Sequence, residues 1–89
     1  MEGRKKILNH EFIMSSCDGV VVGISIEPLS RIYEWEKLFT IKKDDGEIET
    51  IRVGISGKVE SLEVQVGDRV VPGMVLAFIK EDFFATATE

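Results

Sequence analysis

The residues with the most chemical capacity in this chain lie in one short run, Lys42-Lys43-Asp44-Asp45-Gly46-Glu47. An exposed lysine amine can anchor an acyl group, and clustered carboxylates can hold a hard cation or share a proton. The spacing speaks against the second use. No calcium-loop pattern is present, so solvated charge is the simpler account of Glu47 and Glu49. Cys17 and His10 are the other reactive types, and each is the only one of its kind. A nucleophilic thiol needs a basic partner and a third group that orients that partner. His10 sits in a poorly patterned stretch without such a group, and Cys17 stands just before Asp18-Gly19, where a small apolar side chain fits. There is no phosphate loop, no nucleophile elbow and no His-rich cluster, so no catalytic or metal site is expected.

The whole chain has 89 residues, with 11 basic and 16 acidic side chains, a net charge of −5 and 44% hydrophobic content. That length suits one small domain held by burial alone, since one cysteine allows no internal disulfide. The basic residues are scattered among acids, which argues against nucleic acid as a partner. Arg4, Lys5 and Lys6 are followed by Asn9, His10 and Glu11 rather than by a long apolar run, and no later stretch approaches a membrane span. The expected location is the cytoplasm, with no membrane contact.

Any reactive side chain must be held by the elements around it, and these occur twice. Shifted by 38 residues, the segment 13–44 lies over 51–82 without a gap, and eight of 32 pairs are identical. The identities are Ile13/Ile51, Gly19/Gly57, Val21/Val59, Arg31/Arg69, Leu38/Leu76, Ile41/Ile79, Lys42/Lys80 and Asp44/Asp82. Ile24/Leu62, Ile26/Val64 and Ile32/Val70 keep the apolar character. A repeat of this length is too short for a domain of its own, so the copies should be halves of one quasi-twofold structure with a shared core.

Within each copy the period is two. Val59, Leu62, Val64 and Val66 are separated by polar residues, and Ile51 and Val53 by Arg52, as in half-buried strands. The register skips at Glu60-Ser61 and at Val22-Gly23, where a bulge is expected. Asp18-Gly19, Asp45-Gly46, Ser56-Gly57, Gly67-Asp68 and Pro72-Gly73 supply corners in which glycine would take positive φ. The stretch Tyr33–Leu38 is the most helix-like, but the repeat lays it over Val71–Leu76, a turn entering a strand. The predicted class is all-β, a small flattened barrel or sandwich of two quasi-twofold halves. Residues 1–9 are expected to be mobile, 10–84 to form the domain and 85–89 to be a tail; either one of Phe83 and Phe84 closes the core, or both protrude as an exposed apolar pair explained by a partner or a dimer.

The segment Ile51-Arg52-Val53-Gly54-Ile55-Ser56-Gly57-Lys58-Val59, followed by Val64-Gln65-Val66-Gly67-Asp68-Arg69-Val70-Val71-Pro72-Gly73-Met74-Val75-Leu76-Ala77-Phe78-Ile79, resembles the second half of a biotinyl/lipoyl attachment domain, the single hybrid motif of biotin carboxyl carrier-like proteins. The resemblance spans about residues 12–82 and implies the barrel-sandwich hybrid fold. The first copy fits less closely, because Leu29 stands where Gly67 does and Trp35 where Gly73 does, so those corners are expected to be built differently.

In that family a carrier lysine sits at a hairpin tip, eleven residues before the glycine that opens the second half. Counting back from Gly57 reaches Gly46, and Asp45 and Glu47 occupy the places of the flanking methionines. The resemblance thus implies a degenerate member: a hairpin tip of Asp44, Asp45, Gly46 and Glu47, read as a two-residue Asp45-Gly46 turn, without the attachment lysine and without a cofactor. The alternative is a biotin or lipoyl carrier subunit of a carboxylase or acyl-transfer complex, modified at Lys43 or Lys42, on the strand flank. Lys42 has a counterpart in Lys80 where no cofactor is expected, which favours an ordinary solvated charge. The barrels of membrane-fusion adaptors also lack the lysine, but a long helical hairpin divides their halves, and here the link is a tight turn. The only Tyr and the only Trp fall in Tyr33-Glu34-Trp35-Glu36, where either Trp35 caps the core or the four residues form a partner-binding patch. The favoured function is a non-catalytic interaction or scaffold module that binds a protein partner or forms a homo-oligomer.

Overall fold

In the computed structural model, residues 9–82 are described. The N-terminal residues 1–8 and the tail from Phe83 onward, including the Phe83-Phe84 pair, lie outside the described residues. Eight strands follow in order: β1 (Asn9–Met14), β2 (Gly19–Ile24), β3 (Arg31–Ile32), β4 (Lys37–Lys43), β5 (Ile48–Arg52), β6 (Gly57–Leu62), β7 (Arg69–Val70) and β8 (Val75–Glu81). No helix occurs among the described residues, and Tyr33–Leu38 is a turn that runs into β4.

The strands form two antiparallel four-stranded sheets, β1-β8-β6-β3 and β5-β4-β2-β7. Replacing each strand by its equivalent 38 residues away turns one order into the other, so the repeat is a structural pseudo-dyad. The core repeats as well. Among the described residues, fourteen buried hydrophobics fall into seven pairs across the shift: Ile13/Ile51, Val21/Val59, Ile26/Val64, Ile32/Val70, Leu38/Leu76, Phe39/Ala77 and Ile41/Ile79. Inner faces of both sheets supply these side chains, and removing them from water is the main force that closes the sandwich. On the outside, Phe12 and Phe78 meet edge to face, with ring centroids 5.0 Å apart, across the β1–β8 pair.

Bulges occur where the period slips. The β2–β4 register shifts between Val21 and Gly23, and the β6–β8 register between Val59 and Ser61. The slip turns Val22 and Glu60 outward and keeps Val21 and Val59 buried. Alternation alone carried Val66 with the core, but the strand ends at Leu62, Val64 is buried, and Val66 sits exposed in the next corner.

The corners correct two expectations. Gly67 and Gly73 have φ of 102° and 86°, and in the first half Leu29 and Trp35 adopt the same left-handed backbone, with φ of 71° and 64°. Those corners are therefore built alike rather than differently. In each half the first corner closes with the same turn bond, Ser30 N–H to the Glu27 carbonyl at 3.1 Å and Asp68 N–H to the Gln65 carbonyl at 3.0 Å. The second corner likewise pairs Glu36 with Tyr33 at 3.1 Å and Met74 with Val71 at 3.0 Å. Gly19 and Gly57, by contrast, do not have the positive φ expected of turn glycines. A Cβ on Gly19 would fall on the Lys42 carbonyl oxygen, and one on Gly57 on the Lys80 carbonyl oxygen, so glycine is needed there for close strand approach.

Candidate functional site

The hairpin tip joins β4 to β5. Its geometry differs from a two-residue Asp45-Gly46 turn: the Gly46 N–H donates to the Lys43 carbonyl at 2.9 Å, and the Lys43 N–H to the Glu47 carbonyl at 2.7 Å. Asp44 and Asp45 are thus the central residues of a three-residue loop, and Gly46 follows in left-handed backbone with φ of 91°. The Asp45 carboxylate accepts the Glu47 N–H at 2.9 Å, which ties the loop to itself. Asp44 accepts from Nη2 of Arg69 through both oxygens, at 3.0 and 2.7 Å, which ties it to the start of β7. The hydrogen bond and charge of Asp44, with a smaller contribution from Asp18, raise the Arg69 pKa further above its already high ordinary value, against a small opposing effect of burial.

Asp44, Asp45, Gly46 and Glu47 are all exposed. A Cβ at Gly46 would meet nothing within 4 Å, so this apex carries no side chain and has room for one. Lys42 is exposed on β4 and Lys43, the last residue of that strand, is half-buried. Lys43 also borders an open recess of about 350 Å³ shared with Ser16, Cys17, Asp18, Asp44, Asp45 and Pro72. The residues of the apex carry no amine, and the nearest amines are those of Lys43 and Lys42 on the strand flank.

Cys17 is half-buried against the core, as is its counterpart Ile55, so it fills an apolar position. His10 is engaged elsewhere, with Nδ1 2.9 Å from a carboxylate oxygen of Glu60. Among the described residues no group of three or more His, Cys, Asp or Glu is placed to hold a metal ion, and no helix is long and apolar enough to cross a membrane.

Trp35 does not cap the core. It is 65% exposed and Tyr33 is 61% exposed. The indole lies against Gly54, where an added Cβ would come within 2.8 Å of its six-membered ring. Besides the Glu36–Tyr33 turn bond, three bonds fix this turn: Trp35 N–H to the Val53 carbonyl at 2.8 Å, Arg52 Nη1 to the Trp35 carbonyl at 2.9 Å, and Tyr33 N–H to the Glu36 carboxylate at 2.8 Å. Glu34 is exposed beside it. Sequence reasoning missed Leu29, which is 70% exposed at the other end of β3. The signal was a bulky residue aligned with Gly67.

No family model matches the chain, and no curated protein matches it. Solved structures do. A urea carboxylase from Kluyveromyces lactis superposes with a TM-score of 0.72 at 18% identity, over 89% of this chain and 7% of that one. A single-chain, multi-domain long-chain acyl-CoA carboxylase superposes with a TM-score of 0.77 at 12% identity, over 94% of this chain and 8% of that one. This chain therefore spans less than a tenth of either carboxylase, and what it shares with them is the fold of a small all-β barrel-sandwich module.

Proposed function

We propose that this chain is a biotinyl/lipoyl-like module that acts through protein contacts, as a non-catalytic interaction or scaffold element of a larger assembly, and that it bears no cofactor on its hairpin. The observation that carries the reading is Gly46 at the apex, where the resemblance puts the attachment lysine. The bonds of the Asp44–Glu47 loop support it, because the Asp45 carboxylate is taken up by the Glu47 N–H and the Asp44 carboxylate by Arg69, in a turn built around a glycine rather than around an amine. The fold shared with short segments of two carboxylases supports a place beside such enzymes as a carrier-like part rather than as a source of catalytic groups.

The test is the intact mass of the protein made in cells with active biotin and lipoate ligases, followed by peptide mapping across Lys42 and Lys43. The expected mass is that of the bare polypeptide. A biotinyl or lipoyl adduct on either lysine overturns the reading and makes the chain a carrier with a displaced anchor.

A further inference from the structure

The two sheets end on four strands. β3 and β7 have two residues each, too short to receive a further strand, whereas β1 has six and β5 has five. β1 and β5 are therefore the edges on which another chain could add itself by backbone pairing.

The register shows what each of these edges turns toward the core. In β1, Ile13 is buried, and Glu11, two residues earlier, lies on the same side of the sheet. Glu11 stands opposite Ile79, which stands opposite Val59, and both of these are fully buried. The other half repeats the row with the same residue at its edge: Glu49 stands opposite Ile41, and Ile41 opposite Val21, again fully buried. The next row in each sheet ends differently, for there Ile13 beside Ala77 and Ile51 beside Phe39 are buried apolar residues. Alternation thus asks for an apolar side chain at positions 11 and 49. Both halves place glutamate there instead, exposed in β1 and half-buried in β5.

A carboxylate in such a row is tolerated while the edge borders water. A strand added to β1 or β5 would extend the row and cover the carboxylate on the core side, and burying that charge without a partner is costly. A second copy of the chain that extended the sheet with its own core on the same side would bring its own glutamate to that side, where like charges on facing strands repel.

We propose that Glu11 and Glu49 guard the two long edges and keep copies of this chain from adding to one another strand by strand. The inference is independent of the reading of the hairpin tip, and it directs the protein contacts of the module away from its strand edges.

Sedimentation velocity from about 1 μM to about 500 μM, a span that covers moderate and weak association, is the test. Replacing both guards, Glu11→Val with Glu49→Val, should tighten self-association by about tenfold or more over the native chain, and amide exchange in the assembled variant should slow at β1 and β5. Glu27→Val with Glu34→Val removes the same charge outside the strands and should sediment as the native chain does. Glu11→Gln with Glu49→Gln removes the charge while keeping the shape, so it should shift association in the same direction even where the valines disturb the fold. Valine and glutamine pairs that both associate no more than the native chain overturn the proposal, and so does an assembly that leaves the β1 and β5 amides unprotected.

Discussion

Arg69 and Asp44 form an ion pair across the two halves, Nη2 to Oδ2 at 2.7 Å, and the pseudo-dyad repeats it between Arg31 and Asp82. Both arginines and both aspartates are among the eight identities of the internal repeat. Each arginine opens a two-residue strand, and each aspartate follows the long strand of the other half. The pairs therefore pin the end of each long strand to the neighbouring sheet corner. They differ in setting: the Asp44 side chain is 57% exposed and that of Asp82 is 23% exposed, with the Ser56 hydroxyl 3.3 Å from Asp82 as well.

Losing the exposed pair should loosen the tip without unfolding the protein. Arg69→Gln is expected to leave the thermal midpoint nearly unchanged and to speed amide exchange at Gly46 and Glu47, because surface ion pairs add little to global stability. About 1 M salt should speed the same amides in the native protein, where the screening length falls to about 3 Å. Asp82→Ala should lower the midpoint more than Asp44→Ala does, since it removes a less exposed carboxylate with two partners. Hydrogen exchange and thermal unfolding of the three variants check both statements. Equal exchange at the tip in Arg69→Gln and native protein would remove the brace from this account.

Gly57→Ala should be among the most damaging small changes in the chain. The new methyl group would strike the Lys80 carbonyl and lie 2.9 Å from Cα of Glu81, both backbone atoms of the paired strand. Forced repacking of that kind costs about 1–3 kcal/mol. Gly46→Ala meets no atom within 4 Å and suffers only from its positive φ, about 1 kcal/mol. Urea denaturation should place the two losses in that order.

The internal repeat made most of the architecture legible. The relation between the two halves and most of the core pairs follow from a shift of 38 residues, because buried positions must recur wherever a fold repeats, and the bulges at Val22-Gly23 and Glu60-Ser61 follow from slips in the period of two. What the letters hid was backbone. Leu29 and Trp35 do not look like left-handed residues, and only the hydrogen bonds that recur with Gly67 and Gly73 reveal that they are. Gly19 and Gly57 look like turn residues yet serve close strand contact. At the hairpin, Asp45-Gly46 resembles a two-residue turn, but Asp44 is recruited to Arg69 and the loop takes three residues. That Gly46 stands in the hairpin loop was legible in full, since it is a matter of residue identity and turn chemistry.

Leu29 offers a direct measure of corner strain. Leu29→Gly should stabilise the monomer by about 0.5–1 kcal/mol, the left-handed penalty of a bulky residue less the entropy that glycine loses on folding. Gly67→Leu at the equivalent corner should destabilise it by a similar amount, about 0.5–1 kcal/mol, since a Cβ there meets no atom within 4 Å and the same two effects act with opposite sign. Denaturant midpoints give both values. A Leu29→Gly protein less stable than the native one would mean that the exposed leucine contributes packing beyond what its 70% exposure suggests.

Phe39 and Ala77 are the one core pair of the pseudo-dyad with very different sizes, and both are fully buried. Phe39→Ala should cost about 3–5 kcal/mol, a large share of the stability of a small domain, and Ala77→Phe should cost about 1–3 kcal/mol by overpacking. The double exchange is a different case. Four of the other six core pairs are identical, and Ile26/Val64 and Ile32/Val70 differ by one methylene, so exchanging the residues at 39 and 77 gives a core that the pseudo-dyad maps closely onto the original. The protein with both Phe39→Ala and Ala77→Phe should therefore be more stable than Phe39→Ala alone, with a coupling energy of about 1–3 kcal/mol in a double-mutant cycle. Additive losses would show that the surrounding strands had diverged too far for the two halves to trade places, and that the symmetry of the core is one of position and not of shape.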